Sequence, residues 1–457
     1  MSADRETVAV LGAGGIMGLP IARNLARAGL QVIVLERGEK PGAKNVMGGI
    51  LYRHMLEEVV GDAWKEAPLE RPIIEEQRWV MTKDAAIRAL GYKDLRNREH
   101  PHSFSVLRAR FDPWYAGKSE AAGAFVITDT VAEELIRQDG RVVGVRTGRE
   151  GDLLADVVVV CEGIGLGTSL LEKAGLGIPT PRRGDGMGNL GRLYRDRLGR
   201  MEGVALAFKE IIQLDPQLIE SRFNCEPGEG ASVECYGEAT MGMSGFMFIY
   251  TNRDTLSVGG GALLSDFVKT RRTPNEVQEN FKRHPAIRPL LQGGETVEYL
   301  AHQIPEAGFR GVPKVFGDGY LVCGDAAMLS NPVHREGSNL AMESGRLAAE
   351  TVVHCKEKGD FSETSLREYK LKLDQSWIMA DMRKYDKAVP LLEHNPRLLG
   401  KYPGLLDRAL DEFFRVDGVS KWEKQRNIMR LMRKEGGLRL IGDSVKAGLA
   451  LYRPFGR

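Results

Sequence analysis

The sequence lacks the features typical of membrane-spanning proteins, of secreted proteins and of metal-binding proteins. No run approaches the roughly 18 apolar residues of a transmembrane helix. The N-terminus is charged and lacks the apolar stretch and cleavage site of a signal peptide, so we expect a cytoplasmic protein. Only five cysteines occur, none in C-x-x-C spacing. We therefore expect no disulfide framework, no zinc site and no iron–sulfur cluster held by this chain alone.

Glycine, by contrast, is abundant, and charge is unevenly distributed. The 54 glycines among 457 residues are about 12% of the chain, against a typical ~7%. Such a chain makes many tight turns and close backbone approaches, as nucleotide-binding proteins do. The net charge is +2, yet residues 419–457 hold ten Lys or Arg and only three Asp or Glu. This basic tail on an acidic body indicates an interaction surface, and we expect no nucleic-acid partner.

The N-terminal residues predict a strand, a glycine turn, a helix and a second strand. The strands are expected at Thr7–Leu11 and Gln31–Leu35, with the helix at Leu19–Ala28 between them. In such a unit, glycines let the backbone approach a pyrophosphate, and the helix N-terminus offers it free N–H groups. The glycines of the turn are Gly12, Gly14, Gly15 and Gly18. Glu36 ends the second strand, where a carboxylate can accept hydrogen bonds from the adenosine ribose.

Strand patterns of the same kind return much later in the chain. Asp156–Cys161 and Tyr320–Cys323 are short apolar runs typical of buried parallel strands. We therefore predict an α/β fold with a discontinuous Rossmann-like domain, an inserted β-rich domain and a helical C-terminal region. The expected limits are 1–55, 100–175 and 312–360 for the first domain, 56–99 and 176–311 for the second, and 361–457 for the helical region.

Further elements are expected on both sides of the insertion. A helix is predicted over Arg108–Glu120 and another over about Ser338–His354, and a hairpin at Phe246–Tyr250 and Thr255–Val258. Residues 180–202 are rich in Gly and Arg without apolar periodicity, which indicates an exposed loop. We expect the C-terminal helices to be broken by Pro390, Pro396 and Pro403.

The glycine turn departs from the usual dinucleotide spacing. Counted from Gly12, the G-x-G-x-x-G pattern requires glycine where Met17 stands, and Gly18 comes one residue late. Locally, residues 12–25 resemble the start of the β-hydroxyacid dehydrogenases, which bind NAD(P). Taken alone, this stretch favours a nicotinamide cofactor.

A series of longer motifs supports a different cofactor. They follow in order along the chain as Glu36–Gly38, Lys44–His54, Ala67–Pro72, Val106–Trp114, Tyr250–Asp254, Gly324–Ala327 and His334–Ala341. Together they resemble the FixC family, flavoprotein subunits related to electron-transfer-flavoprotein:quinone oxidoreductase. The wider flavin group includes geranylgeranyl reductases and aromatic hydroxylases. The resemblance covers most of 30–160 and 203–430.

This resemblance implies that FAD is the cofactor and that the discontinuous domain binds it. Asp325 would accept a hydrogen bond from a ribityl hydroxyl, Arg108 would reach the cofactor, and Glu162 would stand in for an Asp common in the family. The amides that begin the helix at 337–339 would face the flavin N1/O2 edge, where negative charge develops on reduction. The implied cofactor-binding residues are Gly12, Gly14, Gly15, Gly18, Glu36, Arg37, Gly48, Gly49, Arg108, Glu162, Gly163, Gly324, Asp325, Gly337, Ser338 and Asn339.

No side-chain catalyst is apparent in the sequence. Histidines such as His54, His302 and His334 are scattered and more typical of structural positions, so the flavin would carry the chemistry. The resemblance implies electron transfer from an electron-transfer flavoprotein to quinone, with any iron–sulfur cluster on a separate ferredoxin-like subunit. Two alternatives remain open: a geranylgeranyl-type flavin reductase, and a non-catalytic assembly subunit.

Two segments could bring the protein to a membrane that holds quinone. The Met-rich stretch Met241–Phe248 could wrap a quinone tail, or could form a buried strand and core. Ile441, Val445, Leu449 and Tyr452 form a helical apolar stripe among basic residues, which suits an anionic membrane surface or a partner subunit. We expect a cytoplasmic protein peripherally attached to the inner face of the cell membrane.

Overall fold

A computed structural model describes residues 7–12, 18–43, 49–164, 169–176, 203–331, 333 and 336–451. The chain divides into two compact units. The first unit lies within 1–70, 102–204 and 302–383, and the second within 71–101, 205–301 and 384–457. The three-part domain limits given above stay a prediction, and the expected loop at 180–202 lies outside the described residues.

The strands are given in chain order. They are β1 (Thr7–Leu11), β2 (Gln31–Leu35), β3 (Ile50–Tyr52), β4 (Leu69–Met81), β5 (Ala86–Lys93), β6 (Ser103–Val106), β7 (Phe125–Ile127), β8 (Ala132–Gln138), β9 (Arg141–Thr147), β10 (Gly151–Leu154), β11 (Val157–Val160), β12 (Val204–Gln213), β13 (Gly230–Gly237), β14 (Gly245–Thr251), β15 (Thr255–Leu263), β16 (Glu295–Pro305), β17 (Phe316–Gly317) and β18 (Tyr320–Val322).

The α-helices of the described residues follow the same convention. They are α1 (Gly18–Arg27), α2 (Arg53–Val60), α3 (Arg108–Glu120), α4 (Leu170–Lys173), α5 (Pro216–Arg222), α6 (Leu264–Thr270), α7 (Pro274–Arg283), α8 (Arg288–Leu291), α9 (Gly337–Lys358), α10 (Glu363–Gln375), α11 (Trp377–Lys384), α12 (Ala388–His394), α13 (Lys401–Phe414), α14 (Lys421–Leu431) and α15 (Gly437–Leu451). None of these helices is long and apolar enough to cross a membrane.

A six-stranded sheet forms the centre of the first unit, in the order β17-β18-β11-β1-β2-β7. All neighbours pair in parallel except β17 with β18. The continuous apolar runs explain this position, because β1 and β11 are buried along nearly their whole length, as parallel strands covered on both faces must be. The predicted α/β architecture is confirmed, and strands as distant in sequence as β1 and β18 lie in one sheet.

The second unit contains an antiparallel sheet with one apolar face. In the order β12-β15-β14-β13, each strand pairs antiparallel with its neighbour. β13 also pairs in parallel with β4. The predicted hairpin is confirmed as β14 and β15. Met243 and Met247 lie in the hydrophobic core beneath this sheet. Of the two interpretations of the Met-rich stretch, the structure therefore favours buried core over a surface for a quinone tail.

Two motifs that are distant in sequence meet in the second unit through Arg71. Its guanidinium donates to the carbonyl oxygens of Asn252 at 2.6 Å and Arg253 at 2.7 Å, and it pairs with Glu220 at 2.8 Å. Arg71 is buried, so these bonds satisfy a charge that has lost its hydration. The segment that contains Arg71 thus holds the turn between β14 and β15.

The C-terminal region is helical, as predicted, but two of its prolines act differently. Pro390 and Pro403 each stand third in a helix, α12 and α13 respectively. The first-turn N–H groups have no intrahelical acceptor, so proline there costs no hydrogen bond. The expectation that these two prolines break helices was wrong; Pro396 does lie between helices.

Candidate functional site

The carboxyl ends of β1, β11 and β18 lie side by side at one edge of the parallel sheet. Each is followed by a glycine with positive φ: Gly12 (70°), Gly163 (74°) and Gly324 (58°). A Cβ on Gly12 would lie 2.7 Å from the Cα of Glu162, so no side chain fits there. In parallel α/β sheets this edge is where ligands bind. Gly18 is buried at the start of α1, whereas Gly14 and Gly15 lie outside the described residues.

Glu36 closes the end of β2 in a buried position. Its Oε1 accepts the N–H of Gly38 at 2.6 Å, and its own N–H donates to the carbonyl of Ile127 at 2.9 Å. The carboxylate is therefore held in place at the strand end, where a ribose acceptor was predicted. The neighbouring Arg37 is exposed.

Glu162 has a structural partner that sequence reasoning missed. Its Oε1 accepts the hydroxyl of Ser169 at 3.1 Å and the N–H of Leu170 at 3.0 Å, at the start of α4. Burial raises the pKa of Glu162, and these two hydrogen bonds oppose that rise. His302 approaches the next residue, with Nε2 4.0 Å from where a Cβ on Gly163 would stand. Burial, and then the charge of Arg37, lower the pKa of His302.

Arg108 forms a buried ion pair with Asp112, one turn along α3. Its Nε and Nη2 donate to the two carboxylate oxygens at 2.5 and 2.8 Å, and Asp112 is completely buried. Gly42 packs over this pair with φ of 83°, and a Cβ there would lie 2.8 Å from that of Asp112. The i,i+4 spacing could have indicated this partner, since such residues lie on one helix face.

Asp325 lies in a short turn, Gly324–Ala327, directly after β18. The N–H of Gly324 donates to the hydroxyl of Ser344 on α9 at 3.2 Å, which ties the turn to that helix. Burial raises the pKa of Asp325 to about 6, and the charge of Arg108 opposes this rise. In the structure, the charge of Arg108 thus acts on the carboxyl group of Asp325.

Among the described residues, no side chain caps the N-terminus of α9, and its first turn holds no acidic residue. A Cβ on Gly337 would meet no described atom within 4 Å. Asn339 is buried, and its Oδ1 has no hydrogen-bond partner among the described residues. The positive end of this 22-residue helix suits an electron-rich group of a ligand, and the unpaired Asn339 Oδ1, which can only accept, suits an N–H or O–H donor of the same ligand.

Of the two remaining predicted glycines, one lies within the described residues and the other lies outside them. Gly49 is described with φ of 110°, and its carbonyl accepts the N–H of Val106 at 2.7 Å. Gly48 lies outside the described residues. No group of His, Cys, Asp or Glu in the described ranges could hold a metal ion, and all five cysteines are free thiols.

Comparison with known protein families matches two parts of the chain. Residues 7–102 match the FAD dependent oxidoreductase family, and residues 388–451 match the ETF-QO/FixC family C-terminal domain. The first match includes the stretch that resembles β-hydroxyacid dehydrogenases. It therefore favours FAD over a nicotinamide cofactor.

Full-length relatives agree with these family matches. Protein FixC of Bradyrhizobium diazoefficiens is 40% identical over 98% of this chain and 99% of that protein. A probable electron transfer flavoprotein-quinone oxidoreductase of Escherichia coli is 36% identical over 99% of this chain and 100% of its own length.

The fold is similar to that of solved flavoproteins. A geranylgeranyl bacteriochlorophyll reductase-like protein from Thermoplasma acidophilum has a TM-score of 0.66 at 18% identity, covering 94% of this chain and 97% of that one. The flavin-dependent halogenase CmlS has a TM-score of 0.61 at 16% identity, over 97% of this chain and 78% of its own. The FAD-binding α/β fold predicted from the sequence is confirmed. The chain belongs to the FixC family of FAD-dependent oxidoreductases, which is related to the electron-transfer-flavoprotein:quinone oxidoreductases.

Proposed function

We propose that this chain passes electrons from an electron-transfer flavoprotein to quinone through bound FAD. The observation that carries the proposal is its full-length similarity, at 36–42% identity, to FixC proteins and to a probable electron transfer flavoprotein-quinone oxidoreductase. Bound FAD supplies the chemistry, because a flavin accepts and releases electrons one or two at a time. The side chains of the protein position the cofactor and set its electrostatic surroundings.

The proposed FAD site follows the edge of the parallel sheet. Gly12, Gly14, Gly15 and Gly18 would surround the pyrophosphate, and Glu36 with Arg37 would lie at the adenosine. Further groups would line the rest of the cofactor: Gly48, Gly49, Arg108, Glu162, Gly163, Gly324, Asp325, Gly337, Ser338 and Asn339. The described members of this set support the placement by their positive-φ glycines, the unpaired Oδ1 of Asn339 and the helix end that no described side chain caps.

The α9 N-terminus is the proposed source of redox tuning. Its first-turn N–H groups carry partial positive charge, and no side chain of the described residues caps them. They would stabilise negative charge on a ligand bound at this helix end without any ionised side chain. No general acid or base is required for this role.

A separate ferredoxin-like subunit and a membrane contact complete the proposal. No cluster of cysteines, histidines or carboxylates among the described residues could hold a metal, so an iron–sulfur cluster would lie on another chain. On α15, Leu438, Ile441, Val445 and Leu449 are between 55% and 87% exposed, which supports contact with a membrane or a membrane-bound partner. The alternative of a geranylgeranyl-type reductase requires reduction of an isoprenoid double bond and no protein electron donor.

FAD retention tests the placement directly. The purified chain should show the visible spectrum of oxidised flavin, and Asp325→Ala should weaken FAD binding by about 10–100-fold, because a charge-assisted hydrogen bond is lost. The surface variant Asp152→Ala, which breaks only an exposed pair with Arg146, is the control. A colourless protein that binds NADH tightly would contradict the proposal.

A further inference from the structure

A second carboxyl group, that of Glu306, interacts electrostatically with Asp325, and sequence analysis gave it no role. Glu306 comes directly after β16, and its peptide N–H donates to the carbonyl of Gly203 at 2.8 Å. Its side chain is half-buried, as is that of Asp325. Neither carboxyl has a hydrogen-bond partner among the described residues.

Tight packing fixes the segment of Glu306 against the turn of Asp325. A Cβ on Gly311 would lie 2.1 Å from that of Ala307 and 3.8 Å from that of Met328. Met328 ends the turn, and its N–H donates to the carbonyl of Asp325 at 3.0 Å. The segment of Glu306 and the turn of Asp325 are therefore held against each other by packing.

The surroundings of the two carboxyl groups favour a state in which only one of them is ionised. Burial, and then the charge of Asp325, raise the pKa of Glu306 to about 8, whereas the pKa of Asp325 is about 6. The only described charge that acts on Glu306 is Asp325. Asp325 in turn faces Arg108 of α3, whose guanidinium is bound to Asp112. At neutral pH, Glu306 is thus protonated while Asp325 is mostly ionised.

We propose that Glu306 is a positioning residue of the FAD site, which carries a proton beside Asp325 so that the cofactor meets one carboxylate there and not two. The inference rests on the proposed placement of FAD against Asp325. A second negative charge would oppose both the ionised Asp325 and the pyrophosphate of FAD. In alkaline solution, where free Glu306 has lost its proton, FAD binding then takes up a proton.

Calorimetric titration of FAD into the full-length apoprotein, in two buffers of different ionisation enthalpy, measures this proton directly. We expect uptake of about half a proton near pH 8, where Glu306 is half titrated, and a Kd that rises towards about tenfold per pH unit above it. Glu306→Gln, whose amide carries no titratable proton, should take up no proton on binding FAD and should lose this slope. Glu363→Gln, which changes an exposed partner of Lys314, should behave as wild type.

Two outcomes separate the inference from the proposal on which it rests. If wild-type protein takes up no proton on binding FAD in alkaline solution, the role of Glu306 is wrong, and this result needs no variant to fold. If Asp325→Ala leaves the Kd for FAD unchanged, the placement of the cofactor is wrong instead.

Discussion

At the scale of single residues, the site depends on how buried charges are compensated. The family resemblance implies that Arg108 reaches the cofactor. In the structure, two of its nitrogens donate hydrogen bonds to Asp112. Breaking a buried ion pair leaves an isolated charge, which costs far more than breaking an exposed one. The pair should therefore govern stability as well as the charge near Asp325.

Asp112→Asn should lower the free energy of unfolding by about 3–5 kcal/mol, because it leaves the Arg108 charge buried and uncompensated. Asp411→Asn is the matched control, since it breaks an exposed i,i+4 pair with Arg415. Denaturant unfolding of both variants measures the difference. Equal losses in the two variants would show that Arg108–Asp112 is no stronger than a surface pair.

The raised pKa of Glu306 predicts that the stability of the apoprotein depends on pH. Because folding raises the pKa of Glu306 from 4.5 to about 8, its favourable contribution is complete below 4.5 and is lost as pH rises through 8. The stability of wild type relative to Glu306→Gln should fall over that window and then level off. Thermal unfolding of both apoproteins across the window measures this, and parallel profiles would contradict it.

At the scale of elements, α15 has two faces with different environments. Its buried Asp443 accepts the hydroxyl of Tyr402 at 2.6 Å and pairs with Arg397 at 3.1 Å. The opposite face presents the exposed apolar residues Ile441 and Val445. The exposed cations Arg439 and Lys446 flank the stripe, and Lys446 lies 3.7 Å from Asp443. A helix held on one face with an apolar stripe on the other is suited to contact a surface.

The double variant Ile441→Glu and Val445→Glu should abolish flotation of the protein with anionic liposomes. Each basic residue near such a surface contributes about 1 kcal/mol, so wild-type binding should also weaken with salt. Ser444→Glu adds a charge off the stripe and should retain flotation. If the double variant floats like wild type, α15 does not contact the membrane, and co-purification with partner subunits would be tested instead.

Some of these structural features can be predicted from the sequence, and others cannot. The strands of the parallel sheet and the extent of α3 follow from apolar runs and periodicity, which are local. The contact of Arg71 with Asn252 and the proximity of Glu306 to Asp325 arise from tertiary packing, which no local pattern encodes. Pro403 was misinterpreted because its effect depends on where the helix begins.

At the scale of the whole molecule, the chain is expected to work as one component of an assembly. Its five free thiols include four buried ones. A hydrogen bond with Cys323, and then burial, raise the pKa of Cys161, and burial raises the pKa of Cys235 and Cys355, which disfavours the thiolate that binds iron. The isolated chain should contain no iron, and iron should appear only with a co-purified small subunit. Metal analysis of both preparations measures this, and stoichiometric iron in the isolated chain would overturn it.

Anaerobic mixing with reduced electron-transfer flavoprotein tests the central claim most directly. We predict that the visible absorption of FAD bound to this chain bleaches on mixing and returns when a soluble quinone is added. The Asp325→Ala protein, stripped of FAD, should show neither change. If the bound flavin stays oxidised with reduced electron-transfer flavoprotein but is reduced by a small-molecule donor alone, the proposed electron path is wrong.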